Sequence, residues 1–202
     1  MVQPATPANE EARLAALWSM ALLDTPRESS LDHITDLAAQ LFDVSIALVS
    51  LVDEKRQWFK ASHGLDARET PREISFCGHA ILQPDIFYVR DASIDPRFAD
   101  NPLVTGAPHI RFYAGKPIHA PTGEPLGTLC LMDNKPRKFS HADQNLLSTL
   151  AKCVEQVLVA HITKSDSVPF DVGVGGMVVG GSRAGGPGDS GREAHARRSL
   201  HG

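Results

Sequence analysis

The sequence predicts an α+β fold built on a central antiparallel sheet. The strongest observation is a strand–turn–strand pattern, in which the mostly apolar segments 111–118 and 126–133 flank the turn sequence Pro-Thr-Gly-Glu-Pro. The second is the order of patterns along the chain: two helices, a hairpin, a single strand, a long loop, the second hairpin and a long helix. The third is the length of 202 residues with 42% hydrophobic residues, which suits one domain of about 150 residues with extensions.

Two helices are predicted on the N-terminal side. Apolar residues at helical spacing predict a first amphipathic helix from about Glu10 to Leu22. The sequence Asp24-Thr25-Pro26 ends it, because proline with polar neighbours favours a turn. A second helix follows with an apolar face over residues 31–42, and Ser29 or Ser30 is its expected cap.

Three short strands come next. The apolar, β-branched run Ile46–Val52 predicts a buried central strand. A polar turn at 53–56 connects it to a partner strand at Gln57–His63, so these two strands form a hairpin. Ile86–Val89 is predicted as a third strand.

Two long connections lie on either side of the third strand. The first, residues 64–84, contains Phe76–Leu82, which we interpret as a loop entering a short helix. The second, residues 91–109, carries three prolines and few periodic apolar residues. Asp95–Phe98 in this loop is predicted to form one helical turn, with its proline at the first position. A loop this long in a compact domain is often functional.

A long amphipathic helix closes the domain, and the composition marks both domain boundaries. The helix is predicted from Ser140 to about Thr163, with Asp143 pairing with Ser140 in a capping box. Residues 1–9 are expected to be disordered, and residues 10–163 form the folded domain. Residues 164–202 hold ten of the 16 glycines, so a Gly-rich disordered tail is expected.

Charge, hydropathy and cysteine content narrow the function classes. A net charge of −4 argues against a nucleic-acid partner, and the chain has no apolar run long enough to cross a membrane. The N-terminus lacks the pattern of a secretory signal, and three widely spaced cysteines suit a reducing compartment. The expected location is therefore the cytoplasm.

Several motifs together resemble the GAF domain. They include Phe-Cys-Gly-His-Ala-Ile at 76–81, Asp-Pro-Arg-Phe at 95–98, Arg-Phe-Tyr-Ala-Gly at 111–115 and Gly-Thr-Leu-Cys-Leu-Met-Asp at 127–133. The subtype is the one found N-terminal to diguanylate cyclases and sensor histidine kinases in bacteria. The resemblance covers about residues 10–160 and implies a GAF/PAS-like fold, with the terminal helices packed on one face of the sheet and a loop-covered pocket on the other.

The same resemblance implies a sensory protein of bacterial signal transduction that binds a small-molecule ligand. It also implies a homodimer formed through the terminal helices. No recognisable output domain follows residue 163. We therefore expect either a separate effector protein as partner or a longer signalling protein of which this chain is a part. The sequence indicates no catalytic set, no metal site and no particular cofactor.

Cys77 and His79 are the first candidate site residues. A thiol two positions from an imidazole suggests a reactive nucleophile or half of a metal site, although two ligands are too few for zinc. In bilin-binding relatives the chromophore is attached to a cysteine directly beside a histidine, whereas Gly78 separates the two here. We interpret the pair first as the structural start of a helix and second as part of a ligand-contacting wall.

Four further residues complete the candidate ligand site. Asp91 in the long loop and Arg111 at the strand entrance could hold a charged ligand, or Arg111 could pair with a loop aspartate and fix the loop. Arg97 is more suited to fixing the loop than to contacting a ligand. Tyr113 is expected to face the cavity and Phe112 the opposite layer, although strand alternation also allows the reverse.

Two rival functions are retained. A GAF-type, thiol-dependent reductase of free methionine sulfoxide would place a catalytic cysteine at position 77, but the loop 91–109 has no second cysteine. A dimerisation module with a non-functional pocket is the other rival.

Overall fold

A six-stranded antiparallel sheet organises residues 1–165, which are the part of the chain described by the structure, a computed structural model. Side chains are described through residue 161, so the predicted Gly-rich tail lies outside the described residues. The helices are α1 (Glu10–Ser19), α2 (Ser29–Phe42), α3 (Phe76–Ala80), α4 (Pro102–Thr105) and α5 (His141–Ser165). The strands are β1 (Ile46–Val52), β2 (Arg56–His63), β3 (Glu69–Pro71), β4 (Phe87–Val89), β5 (Phe112–His119) and β6 (Pro125–Asp133).

The strand order is β3-β2-β1-β6-β5-β4, and every neighbouring pair is antiparallel. Both predicted hairpins are confirmed, because β1 pairs with β2 and β5 pairs with β6. The hairpins join in the middle of the sheet through β1 and β6, where Leu48 lies opposite Cys130 and Ser50 opposite Thr128. The edge strand β3 was not predicted, because its three partly exposed residues show no alternation of apolar and polar side chains.

The terminal helices pack on one face of the sheet, which we call the helix face. Because side chains alternate along a strand, the odd-numbered residues of β1 and residues 129 and 131 of β6 point to this side. They meet apolar side chains of α1, α2 and α5 in one buried cluster. Its central members are Leu17, Leu31, Ala38, Ala47, Val49, Leu51, Leu129, Leu131, Leu147, Val154 and Leu158. The predicted α+β layering is thereby confirmed.

The opposite face is covered by residues 76–109 apart from the edge strand β4, and we call this cover the roof. Even-numbered residues of β1 and β6 and the odd-numbered Tyr113 of β5 point toward it and form what we call the floor. The described helices include none that is both long enough and apolar enough to span a membrane.

The helix termini differ in part from the prediction. α1 ends at Ser19 rather than Leu22, because Ala21 adopts a left-handed conformation with φ 49°, yet Leu22 remains fully buried. At α2 the predicted serine caps are wrong: Glu28 is the N-cap residue and makes no side-chain capping bond.

The predicted capping box of α5 is confirmed. The Asp143 backbone N–H donates to Ser140 Oγ at 3.2 Å, and the Ser140 backbone N–H donates to Asp143 Oδ2 at 2.8 Å. Each side chain therefore satisfies a backbone donor of the other residue, which fixes the start of this helix.

Candidate functional site

Aromatic side chains fill the space between the floor and the roof. Phe76 and Phe98 from the roof stack with ring centroids 4.1 Å apart, and Phe76 stacks on Tyr113 of the floor at 5.2 Å. Phe87 contacts Tyr113 at 5.9 Å, and all four rings are buried. The loop cover expected on this face is therefore present, but its interior holds the protein's own rings. A small molecule could enter only if the roof moved.

A buried group of sulfur and hydroxyl side chains lies beside these rings. We call it the sulfur–hydroxyl cluster; it comprises Ser50, Cys77, Tyr113, Thr128 and Cys130, all fully buried. The sulfur atoms of Cys77 and Cys130 are 3.7 Å apart. The Tyr113 hydroxyl donates to the Cys77 sulfur at 3.4 Å. Four of the five residues belong to the floor, and Cys77 is the contribution of the roof.

Local structure fixes Cys77 over the floor. Ser75 caps α3 by accepting a hydrogen bond from the Gly78 backbone N–H at 2.7 Å, and its own hydroxyl donates to Gln57 Oε1 at 2.8 Å. The short helix is thus tied to β2 at its first turn. On the floor, Gly115 leaves room for the Tyr113 hydroxyl, because a Cβ atom at position 115 would overlap that oxygen.

Two hydroxyls of the cluster are unsatisfied. Among the described residues, neither Ser50 Oγ nor Thr128 Oγ1 has a partner at hydrogen-bond geometry, although both oxygens are inaccessible to solvent. A buried polar group without a partner costs on the order of 1–3 kcal/mol. Such groups are rare in native proteins and often mark a functional site.

The surroundings shift the pKa values of Cys77 and Cys130 in opposite directions. Burial by itself raises the pKa of Cys77, but the S–H and O–H groups of Cys130, Thr128 and Tyr113, with a smaller contribution from Ser50, lie near enough to favour the thiolate and lower that pKa to about 6. Burial and the neighbouring Cys77 sulfur raise the pKa of Cys130 well above its ordinary value. Cys77 is therefore the member of the pair that ionises more readily.

The pKa of Tyr113 is also raised well above its ordinary value, first by burial and then by the nearby cysteine sulfurs. The phenol therefore keeps its proton and acts as a hydrogen-bond donor. The structure places Tyr113 on the floor and Phe112 on the helix face, as the preferred strand alternation predicted.

His79 and Arg97 lie on the outer side of the roof. The His79 ring packs edge-on against Phe98 at 5.0 Å, and burial followed by the charge of Arg97 lowers its pKa. Arg97 pairs with Asp95 at 2.6 Å and lies over the ring of Phe87 at 4.9 Å. These contacts hold the loop together, and neither side chain reaches the sulfur–hydroxyl cluster in this conformation.

Asp91 and Arg111 do not pair with each other. Asp91 accepts hydrogen bonds from the backbone N–H and hydroxyl of Ser93, which forms a local turn. Arg111 fixes the loop as one alternative predicted, but through backbone carbonyls rather than an aspartate: its Nη1 donates to Val104 O at 2.9 Å and Ile110 O at 3.0 Å. Of the six predicted site residues, Cys77 and Tyr113 meet in the sulfur–hydroxyl cluster, and His79 and Arg97 lie near each other on the outer side of the roof.

The roof contains the helical turn predicted for it and a capped short helix after it. The backbone N–H groups of Phe98 and Ala99 both donate to Asp95 O at 2.9 Å, which makes the expected helical turn. Asn101 caps α4 by accepting from the Leu103 N–H at 2.9 Å, and its Nδ2 donates to Ile74 O at the same distance.

The N-terminal segment 1–9, for which disorder is expected, has no helix or strand before Glu10 but lies against the roof. The Val2 N–H donates to Arg97 O at 2.9 Å, and Val2 O is 3.1 Å from His79 Nε2. Pro4 lies so close to Gly78 that a Cβ atom there would overlap its ring. The segment therefore covers the outer surface of α3.

Grooves of small-molecule size lie outside the floor–roof interior. One of about 530 Å³ runs along the outer side of the roof beside Arg90, Asp91 and Ile94. Another, of about 430 Å³, lies between the N-terminal segment and the residues around Arg72. Within residues 1–165, no three His, Cys, Asp or Glu side chains gather in a way that suits a metal ion.

Sequence reasoning missed Ser50, Thr128 and the partnership of Cys130 with Cys77. The available signal was the register of the sheet: strand alternation places positions 50, 128 and 130 on one face once β1 and β6 are paired. The sequence alone did not reveal that pairing, since β1 and β6 belong to different hairpins.

Comparison with known proteins agrees with this architecture. The GAF domain family model matches residues 26–158. A cyclic di-GMP phosphodiesterase of Pseudomonas aeruginosa is 44% identical over 155 residues, which are 76% of this chain and 26% of that protein. The chain therefore spans about a quarter of the length of this curated relative.

Solved structures show the same fold at low sequence identity. The GAF domain of a phosphoenolpyruvate-protein phosphotransferase from Coxiella burnetii has a TM-score of 0.57 at 17% identity, covering 80% of this chain and 100% of that chain. The free methionine-R-sulfoxide reductase from Neisseria meningitidis has a TM-score of 0.55 at 17% identity, covering 82% and 99%.

Proposed function

This chain belongs to the GAF domain family, and on that premise we propose that it is a regulatory ligand-binding module of bacterial signal transduction. The ligand is a small molecule held between the floor and the roof. The module itself is non-catalytic and works in the cytoplasm, passing its signal through the terminal helices to a catalytic partner. The 44% identical relative supports this role, since it is named as a cyclic di-GMP phosphodiesterase and is about four times as long as the shared region.

The observation that carries the proposal is the pair of buried, unsatisfied hydroxyls of Ser50 and Thr128. A purely structural core would gain stability by replacing them with apolar groups, because an unpaired buried hydroxyl costs free energy. A ligand would satisfy both hydroxyls. It would also take the place of the stacked rings of Phe76 and Phe98. These requirements favour a planar molecule with hydrogen-bonding edges.

The sheet supplies the route from the ligand to the helices. β1 and β6 carry floor residues and helix-face residues in alternation, so a shift of either strand displaces both clusters. A ligand changes the output only if it binds two arrangements of the module with different affinities. The closed roof described here is one arrangement, and a roof opened by movement of Phe76 and Phe98 is the other.

Self-association is proposed through the terminal helices. Trp18 of α1 and Leu37 and Leu41 of α2 are large apolar side chains with 53%, 46% and 51% of their surface exposed. Their exposure supports a contact between two copies on the helix side of the sheet. Sedimentation equilibrium of the wild type and of Leu37→Glu should show a dimer that the charge weakens.

A ligand screen tests the proposal directly. Cyclic di-GMP, cyclic GMP, cyclic AMP and free methionine sulfoxide are added to the full chain, and binding is followed by native mass spectrometry and thermal shift. We expect at least one cyclic nucleotide to bind and to slow amide hydrogen exchange in the roof. Ser50→Ala should weaken that binding at least about tenfold, a loss of about 1.4 kcal/mol.

Ser62→Ala on β2 is the matched control and should bind as the wild type does. If no compound binds and none co-purifies, while the roof exchanges as slowly as β1, the ligand-binding role is wrong and a dimerisation module remains. Turnover of methionine sulfoxide that Cys77→Ser abolishes would instead establish the reductase.

A further inference from the structure

The fold brings two cysteines from distant parts of the sequence into contact. Cys77 begins the roof on α3, and Cys130 lies on the central strand β6, opposite Leu48 and Gly115. Their sulfur atoms are 3.7 Å apart, and both side chains are fully buried. A disulfide has an S–S distance of about 2.05 Å, so the sulfurs need to approach by less than about 2 Å.

We propose that Cys77 and Cys130 are a modification site, at which hydrogen peroxide converts the two thiols into a reversible disulfide that fastens the roof to the floor. In the first step the Cys77 thiol loses its proton and the thiolate attacks one peroxide oxygen. The O–O bond breaks, a sulfenic acid forms, and the other oxygen takes up that proton and leaves as water. In the second step the Cys130 thiol attacks that sulfenic sulfur, an S–S bond forms, and a second water leaves. The two sulfurs lose two electrons in total, and the peroxide gains them.

The surroundings assign different roles to the two sulfurs. The Tyr113 hydroxyl donates to Cys77 Sγ at 3.4 Å, so Cys77 is the thiol whose negative charge is stabilised. Ser50 and Thr128 add two hydroxyls with no other partner among the described residues. Cys77 therefore reacts with the oxidant, and Cys130, at 3.7 Å, resolves the sulfenic acid before further oxidation.

The third cysteine provides an internal comparison. Cys153 lies on α5, on the helix side of the sheet, and is partly exposed. It has no cysteine partner within the described residues. Exposure alone would make Cys153 the most accessible thiol, whereas geometry selects the buried pair for disulfide formation.

The disulfide would have a mechanical consequence that does not depend on any ligand. It would close a loop between positions 77 and 130, which contains the whole roof together with β5 and most of β6. Cross-links of this kind stabilise a fold by restricting its unfolded chain. Oxidation would also hold α3 against the sheet and prevent the roof from opening.

The test uses the full chain with Cys153→Ser, which leaves only the two buried thiols. The folded protein is treated with hydrogen peroxide, and free thiols are counted after denaturation. We expect both thiols to be lost together, with a linked peptide containing Cys77 and Cys130 under non-reducing conditions. The melting temperature should rise by several degrees, and a dithiol reductant should reverse every change.

Single variants separate the steps. In Cys130→Ser the sulfenic acid on Cys77 should persist and react with dimedone, whereas in Cys77→Ser position 130 should stay unmodified. Cys130→Ala serves if the serine variant does not fold. The proposal is wrong if both thiols survive in the folded chain, if the linked peptide appears only after denaturation, or if Cys77 proceeds to sulfinic acid with Cys130 still free.

Discussion

The two faces of the sheet are built from alternate residues of the same strands, but they treat buried polar groups in opposite ways. On the helix face the ammonium group of the fully buried Lys60 donates to Thr25 Oγ1 at 2.7 Å and to Pro26 O at 2.9 Å, and it forms an ion pair with Glu28 Oε1 at 2.7 Å. On the floor, the hydroxyls of Ser50 and Thr128 have none among the described residues.

The two faces of this one sheet therefore differ in how well their buried polar groups are compensated. The helix face is an aliphatic core in which a buried charge is fully compensated, as stability requires. The floor and roof combine stacked rings, two thiols and two hydroxyls without partners among the described residues, and these hydroxyls lower the stability of this face. Three substitutions test this contrast, and each is compared with a control substitution elsewhere in the chain.

The largest effect is expected from shortening a leucine on the helix face. Leu131→Ala on β6 removes a fully buried side chain and leaves a cavity, so the free energy of unfolding should fall by about 3 kcal/mol. Ile94→Ala, at a side chain that is 79% exposed in the roof, should change the free energy of unfolding by less than about 0.5 kcal/mol. Urea denaturation measures both. Equal effects would mean that the helix face is not the stabilising core.

An intermediate effect is expected at the ion pairs that connect α1 to the segment just before the roof. Arg13 of α1 is fully buried and donates to Val52 O at 2.7 Å and to Glu10 at 2.8 Å, and Arg72 just before the roof also pairs with Glu10. Burial opposes ionisation of Glu10, but hydrogen bonds and charge from the two arginines lower its pKa from 4.5 to about 2.

Because the folded pKa lies below the unfolded one, Glu10 stabilises the fold fully above about pH 4.5 and loses this contribution as the pH falls toward 2. Glu10→Gln should therefore cost about 2 kcal/mol at neutral pH, and its difference from the wild type should shrink through that window. Glu11→Gln, at an exposed neighbouring position, is the control. A difference that does not change with pH would contradict this assignment.

The smallest effect should have the opposite sign. Thr128→Val keeps the shape of the side chain and removes an unpaired hydroxyl, so the protein should become more stable by up to about 1 kcal/mol. At Thr35, also fully buried, the hydroxyl donates to Asp32 O at 2.9 Å, so Thr35→Val should destabilise by about 1 kcal/mol. If Thr128→Val instead destabilised, that hydroxyl would have a partner in solution.

Local patterns were sufficient for most of the elements. The predicted strand Ile46–Val52 has the same first and last residues as β1, and the predicted capping box at Ser140 starts α5. The prediction failed where a neighbouring segment decides the outcome. α1 ends at Ser19 because the chain turns at Ala21 and buries Leu22. β3 is a strand only because its three residues pair with β2.

By itself, the sequence determined the α+β class, the two hairpins and the family, because period, turn chemistry and motifs are properties of neighbouring residues. Only the tertiary structure decided what those elements enclose. It closed the roof over aromatic rings, directed Arg111 to backbone carbonyls and placed Cys77 beside Cys130. The physical reason is that these contacts depend on how the roof packs against the sheet, which no pattern among neighbouring residues specifies.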